Sequence, residues 1–321
     1  MSVKHWESYY RSGGLATCPT AADGTYDREV RDSWEQFFSG FESGARMLDV
    51  GTGNGAIVLI AREIADRLGR NFDIHGSDLA AIDPVRDIKH GRERFHGVTF
   101  HPGTATESLP FEDGSFDAVT GQYALEYMGD AALTELRRVL RPRGRAQFIL
   151  HHADSVLVQN ARESLQHADM VKNQTAIYAC LRRLLVAERT SPAAAQEAGA
   201  AMNQAAGTLH DAMAGSRSPL ILEVTLDAAV KLWESRHSHS ASALEAEIAK
   251  VEADLAAAVQ RLDDLVGHAL DGAELDALLQ RVIATGCRIL LREPQWHAQD
   301  NLVGWRIAFE ATTEDGAARE R

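Results

Sequence analysis

The chain has 321 residues, of which 45% are hydrophobic and 25% charged, an ordinary globular composition long enough for one large or two modest domains and too apolar for disorder. Its formal charge of −13 is spread along the sequence rather than gathered in a tail, so nucleic acid and anionic membrane surfaces are not expected partners. Cys18, Cys180 and Cys287 lie far apart, which speaks against a disulfide framework or a thiolate metal site. Met1 to Gly14 has no apolar leader-like run and no stretch of about 18 apolar residues occurs anywhere, so a cytoplasmic protein is expected.

Residues 1–44 scatter Trp6, Tyr9, Tyr10, Tyr26, Trp34, Phe37 and Phe38 around a turn-rich stretch from Cys18 to Gly24, which predicts a helical cap at the substrate opening that ends in a short helix. Residues 45–153 then alternate short apolar runs with helical spacing. Arg46 to Val50 reads as a strand. The glycines after it lead into Ala56 to Leu68, where Ile57, Ile60, Ala61, Ile64 and Leu68 share one helical face. Further strands are predicted at Phe72 to Ser77, Val98 to His101, Phe116 to Thr120 and Ala146 to His151. A helix over Ala131 to Leu140 is predicted to stop at the turn Arg141-Pro142-Arg143-Gly144. Strands alternating with helices imply an α/β, Rossmann-like, mostly parallel sheet with helices on both faces.

From 154 to 298 helix formers take over, broken at Ser191-Pro192, Gly215 to Pro219, Ser235 to Ser242 and Asp271-Gly272, which predicts a large all-helical insertion before the last strand. Leu244, Ile248, Val251, Leu255, Val259 and Leu262 form one stripe in it, suited to a lid or to the interface of a homodimer. Residues 299–321 are read as a final strand, Leu302 to Ala311, that returns to the sheet and ends in a tail.

The strongest local signal is Leu48-Asp49-Val50-Gly51-Thr52-Gly53-Asn54-Gly55-Ala56, a strand running into three glycines before a helix. Glycines there permit a tight turn and let backbone amides approach a ligand. The same letters satisfy the looser dinucleotide fingerprint G-x-G-x-x-G/A. Asp49 separates the two readings. A carboxylate at the strand end sits badly beside a pyrophosphate and well beside an ammonium group.

Several pieces in order resemble the class I S-adenosylmethionine-dependent methyltransferases, in particular the broad group that includes the quinone-biosynthesis methyltransferases. They are the Asp49 to Gly55 loop, Asp78 in His75-Gly76-Ser77-Asp78-Leu79, the stretch from Thr106 to Asp117, and Leu133 to Gly144. The resemblance covers residues 45 to 151 and implies S-adenosylmethionine as cofactor. It implies that Asp49, Gly51, Thr52, Gly53, Asn54 and Gly55 form the loop, that Asp78 and Leu79 meet the ribose, that Ala105 and Thr106 meet the adenine, and that Gln122 packs beside the cofactor. Ala105 stands where the family often has an Asp, so a charged adenine anchor is missing.

Methyl transfer needs mainly alignment in a dry site, and a base only if the acceptor carries a proton. The candidates are His151 and His152 at the end of the fifth strand, and Glu126 and Tyr127, with Tyr123, after the fourth. His237 and His239 lie in a loop without a carboxylate or cysteine cluster, so no metal is expected. The expected activity is S-adenosylmethionine-dependent methyl transfer to a small, partly apolar or aromatic acceptor. The alternatives are a catalytically silent partner-binding protein of the same fold and a nicotinamide-dependent oxidoreductase. Alanine and arginine richness suggests a bacterial source.

Overall fold

The structure is a computed structural model that describes residues 3–313 apart from Pro19 and Asp23, so the expected C-terminal tail lies outside the described residues. Helices α1 (Lys4–Arg11) and α2 (Arg28–Ser39) precede the first strand, β1 (Arg46–Val50). Next come α3 (Ala56–Leu68), β2 (Asp73–Asp78), the single turns α4 (Pro84–Asp87) and α5 (Gly91–Arg94), β3 (Val98–Pro102), β4 (Phe116–Gln122), α6 (Asp130–Val139) and β5 (Leu140–Leu150). Six helices follow: α7 (Val156–Asp169), α8 (Ile177–Ala187), α9 (Pro192–Met213), α10 (Leu220–Glu234), α11 (Ala241–His268) and α12 (Gly272–Ala284). The strands β6 (Cys287–His297) and β7 (Asn301–Ala311) close the described chain.

The chain divides into two units, one holding the residues up to Val158 and from His268 onward, the other Gln159–Gly267. In the first unit the seven strands run in the order β3-β2-β1-β4-β5-β7-β6. The first five are mutually parallel, and β7 pairs antiparallel with both β5 and β6. Successive strand residues point to opposite faces, and both faces are apolar. Met47, Ile74, Ala118 and Ile149 join Trp34, Phe38, Ile60 and Ile64 from α2 and α3 on one side. Leu48, Val119 and Phe148 join Leu136 of α6 and Leu275 and Leu279 of α12 on the other. The expected layers are therefore present. Because β2 and β4 lie on either side of β1, the chain reverses direction there and leaves a crevice beyond the carboxyl ends of β1 and β4, where open α/β sheets bind ligands.

Three sequence expectations need correction. The segment 154–298 is not all helical, since Cys287–His297 forms the edge strand β6. Its charged residues face outward beside half-buried ones, and Pro294 lies within it, a pattern an edge strand tolerates. The helix α6 does end at Val139, but the residues 141 to 144 expected to form its terminating turn are part of β5, which is irregular there: the pairing with β4 shifts register between Phe116 and Ala118, and Arg143 adopts φ 65°. Finally, Leu68 is 41% exposed, while its four partners on the α3 stripe are buried.

The second unit has its own apolar core, in which Leu181, Leu209, Leu222 and Ile248 are fully buried. Arg182 of α8 bonds both Glu245 and Glu252 of α11 at 2.8 to 3.0 Å. Of the predicted α11 stripe only Leu244 and Ile248 are buried. A π turn at Met170–Gln174 and Ala176 at φ 46° separate α7 from α8, a break without Gly or Pro to announce it.

Candidate active site

The loop between β1 and α3 turns through Gly51 (φ 62°), Gly53 (φ 52°) and Gly55 (φ 87°), backbone states that side chains resist. Space makes the same demand. A Cβ on Gly51 would lie 2.6 Å from the Ala124 methyl, and one on Gly53 would lie 2.6 Å from the Tyr10 ring. The next residue, Asn54, is wholly buried and donates from Nδ2 to the carbonyls of Tyr10 and Gly14, each at 2.8 Å. The glycine loop thus carries α1 and the turn after it on its back.

A cavity of about 170 Å³ opens where this loop meets the ends of β2 and β4. Asp49, Gly51, Thr52, Gly53, Asp78, Leu79, Thr106 and Gln122 line it, as does Tyr127 with its neighbour Tyr123. From the N-terminal segment come Val3, Trp6, Tyr10, Leu15, Thr17 and Tyr26. Trp6 stacks on Tyr10 and meets Tyr127 edge-on, so the aromatic residues form one continuous wall.

The two strand-end carboxylates are held by the fold itself. Asp78 accepts from the Gly53 amide at 2.8 Å through Oδ2 and from the Ala80 amide at 2.8 Å through Oδ1. Burial nevertheless pushes it up to about 6. Asp49 accepts from the Thr120 hydroxyl at 2.7 Å, and burial pushes it up to about 6 as well, opposed by Thr52 and Thr120 and reinforced by the charge on Asp78. Two reluctant carboxylates beside one cavity favour a ligand that brings positive charge and hydrogen-bond donors. Gln122 adds a third anchor. Its Oε1 accepts from the Trp34 indole at 2.7 Å, and because an indole N–H can only donate, the amide NH2 must face the other way, where Nε2 is buried without a partner. A cradle that tolerates no Cβ, two strand-end carboxylates and an unsatisfied amide fit an amino-acid nucleoside, and the described lining residues include no Lys, Arg or His for a pyrophosphate.

Of the other residues singled out in the sequence, Asn54, Gly55 and Ala105 do not line the cavity. Asn54 is turned toward the N-terminal segment, and Gly55, at φ 87°, precedes α3, with Phe95 and Phe100 against it. Ala105 leads in extended conformation into a single 3₁₀ turn at Thr106–Ser108. His151, His152 and Glu126 also stand outside the wall. His151 stacks flat on Tyr123 at 4.1 Å, and burial pushes it down to about 3, which keeps it neutral. His152 stacks on Trp305, accepts from the Asp154 amide at Nδ1, and is shifted down by burial. Glu126 accepts from the His151 amide at 2.7 Å, and burial pushes it up to about 8, with Oε2 unpaired. Burial thus favours its protonated form. Tyr123, at φ 55°, donates to the Val303 carbonyl at 3.0 Å, which ties the wall to β7.

Sequence reasoning did not single out Leu15, Thr17, Glu107 or Met128, which also line the cavity. They lie in turns, where no periodicity betrays a facing side. Among the described residues no cluster of His, Cys, Asp and Glu could hold a metal ion, and no helix is long and apolar enough to cross a membrane.

Comparison with known proteins agrees with this geometry. Residues 41–207, more than half of the chain, match a family described as a methyltransferase domain. An uncharacterized methyltransferase, YcgJ, of Bacillus subtilis is 32% identical over 116 residues, covering 34% of this chain and 41% of the relative. The ubiquinone/menaquinone biosynthesis C-methyltransferase UbiE of Geotalea uraniireducens is 33% identical over 116 residues, covering 34% and 46%. The chain therefore spans less than half the length of either relative. A crystal structure of Burkholderia thailandensis 1,6-didemethyltoxoflavin-N1-methyltransferase aligns at 11% identity and a TM-score of 0.43, covering 89% of this chain and 80% of that one. With more than half its length matched to the family profile, the chain belongs to the methyltransferase-domain family.

Proposed function

We propose that the protein transfers a methyl group from S-adenosylmethionine to a small, partly apolar or aromatic acceptor. The observation that carries this reading is the convergence of Asp49, the glycine loop, Asp78 and the unsatisfied Gln122 amide on one cavity with an aromatic wall. In this reading Asp49 takes the cofactor's ammonium group, Asp78 its ribose hydroxyls, Gln122 a nearby acceptor atom, and Thr106 the adenine edge. The cofactor supplies a methyl group on a cationic sulfur. The protein's share is to align the acceptor with that methyl group and exclude water, which is worth about 7 to 11 kcal/mol when complete.

Among the proton-transfer candidates Tyr127 faces the acceptor, with Tyr123 beside it. His151 and Glu126 position those rings from behind, and an imidazole pushed to about 3 is too weak a base to take the acceptor's proton. A nicotinamide dinucleotide is disfavoured because its pyrophosphate would lie beside the buried Asp49 carboxylate, with no Lys, Arg or His among the described lining residues to offset it.

The test is a transfer assay with methyl-labelled S-adenosylmethionine and a panel of small aromatic acceptors. Acceptor-dependent labelling, reduced at least tenfold in Gly53→Val, is expected from the close approach of Tyr10 to Gly53. Cofactor binding without transfer to any acceptor would instead indicate a silent binding protein.

A further inference from the structure

The charged side chains lining the cavity are Asp49, Asp78 and Glu107, and no Lys, Arg or His is among the lining residues described. Apart from these carboxylates, the wall is built from neutral groups, chiefly Trp6, Tyr26, Tyr123 and Tyr127. The imidazoles in ring contact with the wall are not themselves lining residues, and His5 lies 5.7 Å from the Trp6 ring. His151 is stacked behind Tyr123, and His268 lies 4.7 Å from the Tyr127 ring.

An anionic group brought into this space beside the cofactor loses its water, finds no basic side chain among the described lining residues, and meets Glu107 as well as the field of Asp49 and Asp78 behind the cofactor. The one net positive charge of a bound S-adenosylmethionine does not outweigh them. A flat uncharged molecule meets the opposite conditions, because ring faces reward stacking and ask for no compensation.

We propose that the acceptor arrives as an uncharged, flat aromatic molecule, and that the cavity rejects carboxylate- or phosphate-bearing molecules of the same shape. The proposal rests on reading the cavity as the methyl-transfer site and narrows it to a substrate class. It separates this protein from methyltransferases whose acceptors carry a carboxylate or phosphate on or beside the reacting ring.

The experiment uses the full chain in two calorimetric steps at neutral pH. S-adenosylhomocysteine is titrated first to saturation, and then 2-naphthol or 2-naphthoate, which share a ring system and differ in charge. Saturable binding of the naphthol with at least tenfold weaker binding of the naphthoate is expected. In Thr17→Lys, which places an ammonium at a half-exposed wall position, the naphthoate gains and the ratio narrows. Naphthoate binding as tight as naphthol, or no naphthol binding to the loaded protein, overturns the proposal. Failure of the first step overturns the methyl-transfer reading and this proposal with it, and is visible before any acceptor is added.

Discussion

Asp49 and Asp78 carry charge in a place that resists it, and that resistance makes ligand binding depend on pH. Both are pushed up to about 6 by burial, so each holds a proton below that pH in the ligand-free protein. A ligand that brings an ammonium to Asp49 and hydroxyl donors to Asp78 binds the ionised forms, and binding must therefore expel protons at low pH. The affinity for S-adenosylhomocysteine is expected to rise from about pH 5 to pH 7 and then level off, with proton release detectable by calorimetry in buffers of different ionisation enthalpy. A flat profile across that range would mean that neither carboxylate meets the ligand. Asp49→Asn should lower the affinity about 10- to 100-fold, the value of one charge-assisted hydrogen bond, and flatten the profile.

Glu126 gives a second test on a single side chain. Its folded state holds the proton more tightly than the unfolded chain, so its contribution to stability is complete below the ordinary carboxylate range. That contribution is lost as pH rises through about 8. Glu126→Gln keeps the shape and removes the titration. Its melting temperature relative to the unaltered protein should therefore climb between pH 5 and pH 8 and change little above. A constant difference over that range would place Glu126 in a solvated setting.

At the scale of elements, the N-terminal helix is the part of the site that the sequence showed least clearly. Its aromatics announced a cap, but not that Asn54 would be the latch, since the family pattern assigns that position to the cofactor loop. The latch consists of two hydrogen bonds from one buried amide, and losing them leaves the Gly14 carbonyl without that partner at about 1 to 3 kcal/mol, while the Tyr10 carbonyl keeps the Gly13 amide. Asn54→Ala should speed S-adenosylhomocysteine dissociation at least tenfold and raise hydrogen exchange over residues 4–14, while exchange in β4 stays slow. Unchanged dissociation would show that Asn54 is not what holds α1 over the site.

The sheet was legible wherever its strands are central and apolar. Met47 and Leu48, or Ala118 and Val119, are buried on opposite faces and read as strands from the letters alone. The edge strand β6 was not legible, because its Arg288, Leu290, Leu291, Arg292 and Glu293 are also good helix formers and only pairing with β7 makes them a strand. The irregular start of β5 was hidden by a proline and a glycine that usually signal a turn.

For the molecule as a whole, local letters and topology agree at one place. The carboxylates and glycines that could be picked out by position, Asp49, Gly51, Gly53 and Asp78, meet where the strand order reverses, and Gln122 at the end of β4 completes the set. The histidines chosen as bases could not be oriented by sequence, because which way a residue points just beyond a strand is decided by partners such as Trp305 and Tyr123, distant in the chain. The central claim is that this crevice holds an amino-acid nucleoside. The most direct measurement is calorimetric titration of the full chain with S-adenosylhomocysteine, repeated with Asp78→Ala and with NAD as control. Micromolar binding, at least tenfold weaker in the variant and absent for NAD, is the predicted result. No S-adenosylhomocysteine binding, or tighter binding of NAD, would contradict it.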